Sequence, residues 1–137
     1  MTERRTAVDA VASELPVLIR FLQEFWAAEK LPAAQAPTFE LALEEVFANI
    51  VMHGSRPGRI ASVEVSLVLA EGGITMLIED DGPAFDPLKL PVPDVTASLA
   101  DRPVGGLGVY LVQQVMDFVS YQRVGARNRL TMTRSAG

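Results

Sequence analysis

Glu45 and Asn49 stand four residues apart inside an apolar-periodic run from about Phe39 to Met52. In a helix that spacing stacks a carboxylate over a carboxamide on one face, one turn apart. Such a pair can share a hydrated metal ion and a nucleophile. It can equally be the boundary between a buried stripe and solvent, and the pair alone does not choose. A second carboxylate lies further on. In the strand-like run Ile74, Met76, Ile78, the next residue on the same row is Asp80. Burying an aspartate there without a partner is costly, so the row ends on a pocket floor. Gly82, with no Cβ, lets a flat ligand approach the backbone beside it. A third signal is Gly105-Gly106-Leu107-Gly108 at the start of a helical pattern. Glycines there leave backbone N–H groups at a helix N-terminus open to phosphate oxygens. The run is neither a P-loop nor a Gly-x-Gly-x-x-Gly fingerprint, and no Gly-Lys-Ser/Thr is present.

These groups need elements to hold them. Residues 4–10 read as a short strand. Leu15, Leu18, Ile19, Leu22, Phe25 and Trp26 give one apolar helical face between Ser13 and Glu29, with Ser13 as cap and Pro16 in the first turn. Trp26 is assigned to the core. A second helix from Pro37 or Thr38 to Gly54 carries Glu45 and Asn49 on the margin of its stripe, with Glu40 and Glu44 facing solvent. Val63, Val65, Leu67 and Leu69 alternate as a strand, and Glu71-Gly72-Gly73 turns it into the next, which ends at Asp80. From Leu88 to Arg102 periodicity is lost, with prolines at 91, 93 and 103, as in a functional lid. A helix to about Met116 follows, with Leu107, Leu111 and Val115 at helical spacing. A closing hairpin, 118–124 and 128–134, turns Leu130 and Met132 inward.

Composition narrows the classes. The 137 residues suffice for one domain with a real core. Net charge is −5 and no Lys/Arg block stands out, which argues against a nucleic-acid surface. With no cysteine there is neither a disulfide framework nor a thiolate metal site. No apolar run approaches the roughly 20 residues of a membrane helix, and the polar start is unlike a signal peptide. A cytoplasmic protein is expected.

Glu45-x-x-x-Asn49, Asp80-x-Gly82 and Gly106-x-Gly108, in this order, resemble the three ATP-binding boxes of the GHKL superfamily of gyrase-like and histidine-kinase ATP-binding domains. More narrowly, Leu43-Glu44-Glu45-Val46 through His53-Gly54, Asp80 through Pro87, and Gly105 through Val112 are similar to the anti-sigma-factor serine kinases of bacterial partner switching. The resemblance spans about residues 6–134. It implies a Bergerat-type α/β (α+β) two-layer sandwich, a mixed, mainly antiparallel sheet covered by helices on one face. One ATP-binding domain, 1–137, would carry an ATP lid at 88–104. By position, Glu45 would be the general base, Asn49 the Mg2+ ligand and Asp80 the adenine-reading carboxylate. Gly82 would shape the base pocket, Gly106 and Gly108 would hold phosphates, Arg102 would reach a terminal phosphate, and Thr131 would place a hydroxyl beside adenine. His53 matches the histidine after the Asn box, in a structural or metal-adjacent place. The implied activity is ATP-dependent phosphorylation of a serine on an anti-anti-sigma protein, with a sigma factor as second partner and a homodimer as the assembly. The competing class is a nucleotide-gated binding module without kinase activity, against which the intact Glu45 speaks. A histidine kinase would need a further helical domain and a second histidine.

Overall fold

The computed structural model describes residues 1–89 and 107–135. Five strands form one sheet in the order β1-β2-β3-β5-β4, and every pairing among the described strands is antiparallel. They are β1 (Thr2–Asp9), β2 (Ser62–Ala70), β3 (Gly73–Asp80), β4 (Phe118–Val124) and β5 (Arg127–Ser135). Three helices, α1 (Leu15–Ala28), α2 (Ala36–His53) and α3 (Leu107–Val115), complete the α+β fold expected from the sequence. The strand anticipated at 4–10 begins two residues earlier and pairs with β2 along its whole length.

Period-2 alternation decides which residues meet the helices. Val63, Val65 and Leu67 of β2, Ile74, Met76 and Ile78 of β3, and Leu130 and Met132 of β5 are all buried. Leu18, Leu22, Phe25 and Trp26 of α1 and Phe39, Leu43, Val46 and Phe47 of α2 close over them. Trp26 is a core residue, as its spacing indicates. Its indole N–H donates to the Pro32 carbonyl at 2.9 Å and so fixes the connection between the first two helices. Ser13 does not cap α1. Residues 12–14 form a short 3-10 turn and Glu14 takes the cap position without a side-chain bond.

The other sheet face carries polar pairs. Glu79 sits between Arg127 at 3.0 Å and Arg129 at 3.2 Å, and Arg5 lies 3.1 Å from Glu3 and 3.7 Å from Glu64. The hydrogen bond that Arg5 donates to Glu3 and the charge of Glu64 raise the Arg5 pKa above its ordinary value. Exposed pairs of this kind add little to stability.

α3 departs from the sequence reading. Leu111 and Val115 are 43% and 44% exposed, whereas Val109, Val112 and Met116 are buried. The helix offers two apolar stripes at similar spacing. Close contact between Gly108 and α2 selects the one that continues through Val112 and Met116.

Candidate active site

α2 lies across the β3–β5 end of the sheet and leaves a cleft of about 290 Å³. Its walls include Val46, Asn49 and Ile50 from α2, Ile78 and Asp80 from β3, Phe85 and Pro87, and Tyr121, Asn128 and Leu130 from the closing hairpin. A larger groove on the far side of α2, lined by Leu15, Phe47, Val51 and Met52, has Glu44 as the one charged group in its lining. It lacks the converging polar groups of the first cleft.

Asp80 ends the inward row of β3 and is 5% exposed. Its burial is made tolerable by hydrogen bonds. Oδ1 accepts the Gly82 N–H at 2.9 Å and the Asn128 side-chain amide at 3.0 Å. Oδ2 has no hydrogen-bond partner among the described residues. The neighbouring Asp81 faces away and ties the loop to the turn before β2. One of its oxygens accepts the Ser62 N–H at 2.8 Å, and the other pairs with Arg59, also at 2.8 Å.

Gly82 stands where the fold leaves no room for a side chain. A Cβ there would lie 2.4 Å from the Gly54 carbonyl oxygen and 2.8 Å from its Cα. The end of α2 therefore sits directly on the loop that follows Asp80. This contact sets the register between the helix bearing Asn49 and the strand bearing Asp80. His53, one residue before Gly54, stacks on Phe85 with ring centroids 4.3 Å apart. Among the described residues no group of three or more His, Cys, Asp or Glu side chains is placed to hold a metal.

On the helix wall, Asn49 is 8% exposed and its Nδ2 has no hydrogen-bond partner among the described residues. A buried amide left unpaired costs on the order of 1–3 kcal/mol, so this group calls for a partner beyond the described residues. Glu45, one turn earlier, is half-buried, and its side chain rests against the backbone of Gly108. A Cβ at 108 would lie 2.1 Å from both Cγ and Cδ of Glu45. The carboxylate thereby reaches the first turn of α3, where the helix dipole favours negative charge.

The structure thus brings Asn49 and Asp80 to one cleft, with Gly82 hydrogen-bonded to Asp80, and sets Glu45 against Gly108 one turn of α2 from Asn49. Gly106 and Arg102 lie outside the described residues, as do Gly105 and all but the first two residues of the expected lid, 88–104. Thr131 is on the wrong face for a hydroxyl beside a ligand. It pairs with Leu77 on β3 and Ser120 on β4, while its neighbours Leu130 and Met132 point inward. Strand alternation sends it to the outer surface.

The inward polar residue of β5 is instead Asn128, paired with Asp80 and 5% exposed. The sequence reading missed it. It carried the same mark as Asp80, because Asn128 precedes Leu130 by two and so extends the inward row by one step. Phe85, Tyr121 and Arg123 were also missed. Arg123 donates to the Gly82 carbonyl at 2.8 Å, and no local spacing links positions 41 residues apart.

Residues 8–134 match the family model described as histidine kinase-like ATPase domain. The chain is 35% identical over 96 residues to the serine/threonine-protein kinase BtrW of Bordetella bronchiseptica, covering 70% of this chain and 68% of that one. Among solved structures it is similar to the RsbU and RsbW domains of Rv1364c from Mycobacterium tuberculosis. There the TM-score is 0.69 at 15% identity, over 98% of this chain and 32% of that one, so the chain spans about a third of the mycobacterial protein's length. The histidine kinase AdeS of Acinetobacter baumannii shares the fold with a TM-score of 0.54 at 13% identity, over 100% of this chain and 70% of that one.

Proposed function

The chain belongs to the histidine kinase-like ATPase domain family, in its serine/threonine-protein kinase group, and from that premise we propose that it transfers the γ-phosphoryl group of ATP to a serine on an anti-anti-sigma protein. The observation that carries this reading is the divided character of the cleft. It has a carboxylate floor with one unengaged oxygen, and opposite it a helix bearing an unpaired carboxamide and a carboxylate one turn away.

In this reading the Asp80 Oδ2 accepts a hydrogen bond from the exocyclic amine of adenine. The base lies between Ile78 and Leu130 on the sheet and Val46 and Ile50 on α2. Gly106, Gly108 and Arg102 serve the phosphates. Mg2+ fits the residues present. It binds with few protein ligands and takes the rest of its shell from phosphate oxygens and water. Rotating the Asn49 side-chain amide exchanges its nitrogen and oxygen without changing its shape, which places a neutral oxygen ligand where the unpaired atom now sits. When bound, the ion would offset charge on the β- and γ-phosphates.

Phosphoryl transfer asks the protein mainly for positioning and charge stabilisation. Glu45 removes the proton from the attacking serine hydroxyl. The serine oxygen forms its bond to the γ-phosphorus as the bond to the β–γ bridging oxygen breaks, and ADP leaves. A sigma factor is the second partner, held while the anti-anti-sigma protein is phosphorylated. The assembly is a homodimer through β1 and α1, where β1 is an edge strand of the sheet. Among the described residues no helix is long and apolar enough to cross a membrane, and the reading places the protein in the cytoplasm.

The test is a transfer assay with ATP, Mg2+ and an anti-anti-sigma protein as phosphoryl acceptor. Glu45→Ala is expected to lower the transfer rate by about 10²- to 10⁴-fold while nucleotide still binds. Asn49→Ala is expected to remove the Mg2+ dependence of ATP affinity. Undiminished transfer by both variants rules the assignment out.

A further inference from the structure

The geometry points to Asn128 as the residue that makes the Asp80 site read adenine and reject guanine. This deepens the proposed nucleotide-binding function and rests on it. Asn128 is buried at the floor of the cleft, on the inner face of β5, directly across from Asp80. Its Nδ2 donates to Asp80 Oδ1 at 3.0 Å and to the Pro83 carbonyl at 2.8 Å. Its Oδ1 accepts from the Phe85 N–H at 3.2 Å, from Arg123 Nη1 at 3.2 Å and from the Tyr121 hydroxyl. Two acceptors face one end of the amide and three donors face the other, so only one orientation satisfies the network.

The consequence falls on Asp80. A carboxylate oxygen has two acceptor positions, and on Oδ1 both are taken, by the Gly82 N–H and by Asn128. Only Oδ2 remains for a ligand. The Watson–Crick edge of guanine presents two adjacent donors, N1–H and the N2 amine, which match the two oxygens of a free carboxylate. Adenine presents one donor there, the exocyclic amine, beside an acceptor. An aspartate with one oxygen engaged meets the one donor of adenine and leaves one of the two guanine donors without an acceptor in a buried site. Unpaired buried polar groups are what sites of this kind use to discriminate. The carboxylate alone could serve either purine, and its engagement by Asn128 makes the choice.

The experiment measures ADP and GDP dissociation constants by titration calorimetry for the full chain and for Asn128→Ala. Freeing one acceptor position on Oδ1 is expected to narrow the GDP-to-ADP ratio by about tenfold, even where loosening of the loop weakens both nucleotides. A ratio that stays fixed while both affinities fall means Asn128 only holds the loop, and overturns the inference. Wild-type protein that binds ADP and GDP alike also overturns it and leaves the ATP-site reading standing. Wild-type protein that binds neither nucleotide removes both. If Asn128→Ala does not fold, Tyr121→Phe takes its place. It removes one donor from Asn128 Oδ1 without touching Asp80, and the ratio is expected to narrow by about twofold. No change in that variant counts against the inference.

Discussion

At the strand end of the cleft, Asn128 and one oxygen of Asp80 are tied to one another and to the loop that follows; at the helix end, among the described residues, Asn49 has an unpaired amide and Glu45 rests on Gly108. The strand end is preorganised. Its polar groups are fixed by Gly82, Pro83, Phe85 and Arg123 before any ligand arrives, so its selectivity costs no rearrangement at binding. The helix end has polar groups without partners among the described residues, which the proposed ligand would supply. The difference suggests a division of labour, with recognition built into the sheet and reactivity completed on α2 by what binds. Substitutions at the two ends should then separate affinity from turnover.

The largest effect is expected at the contact between α2 and α3. A methyl group at position 108 would overlap the Glu45 side chain, with Cγ and Cδ 2.1 Å from its carbon. Glu45 must shift, and misplacing a catalytic group by about 1 Å costs on the order of 10²-fold in rate. Gly108→Ala is therefore expected to reduce the single-turnover transfer rate by about 100-fold. If Gly108 acted through phosphate contacts alone, the loss would appear in the ATP dissociation constant and the rate at saturation would hold. Rapid-quench kinetics across a range of ATP concentrations distinguishes the two.

At the strand end, the informative change is Asp80→Asn. The new carboxamide can keep its oxygen toward Gly82 and Asn128, which preserves the loop, and turns an N–H2 donor toward the ligand in place of Oδ2. Two donors then face each other where adenine would bind. A charge-assisted hydrogen bond contributes about 1.5–3 kcal/mol, so ADP affinity is expected to fall by roughly 10- to 100-fold. The melting temperature should move by no more than a few degrees. A large loss of stability with unchanged affinity would mean that Asp80 is a structural residue.

Gly82 tests the seam between the two ends. Alanine there would bring its Cβ to 2.4 Å from the Gly54 carbonyl oxygen, a backbone atom at the end of α2 with little freedom to move. Overpacking of this kind costs about 1–3 kcal/mol. Urea denaturation should report that loss. Because the helix and loop must part to relieve the clash, ADP affinity is expected to fall with it.

The strands and the first two helices were legible because their alternation and their 3.6-residue stripes are local properties. So were Asp80 and the α2 pair, since each sits at a defined step of such a pattern. What could not be read locally is the choice between equivalent patterns. α3 offers two apolar stripes, and the contact of Gly108 with Glu45, 63 positions away, selects the one through Val112 and Met116. The partners of Asn128 lie at the end of β3, in the loop after it and in β4, so its inward place on β5 was readable, whereas its hydrogen bonds were not. Gly82 was marked as a glycine that needed room, but the group it makes room for, Gly54, is known only from the fold.

Thr131 offers the smallest effect and the cleanest check on which face of β5 serves the site. Its family-based placement beside the ligand requires an inward hydroxyl, and its register opposite Leu77 and Ser120 gives it an outward one. On that surface Thr131 is half-buried, with no hydrogen bond from its side chain among the described residues. Thr131→Val exchanges the hydroxyl for a methyl at nearly the same shape and keeps the β-branching that suits a strand. ADP affinity is expected to stay within about twofold and stability within about 0.5 kcal/mol, the range of ordinary surface substitutions. A tenfold loss of ADP affinity would place the hydroxyl in the cleft and shift the register of β5 by one residue. Because a one-residue slip turns every side chain to the other face, it would also expose Leu130 and Met132, now buried. The Thr131 measurement therefore bears on the whole inward row, Asn128 included, and an unchanged affinity supports the register on which the proposed reading of adenine depends.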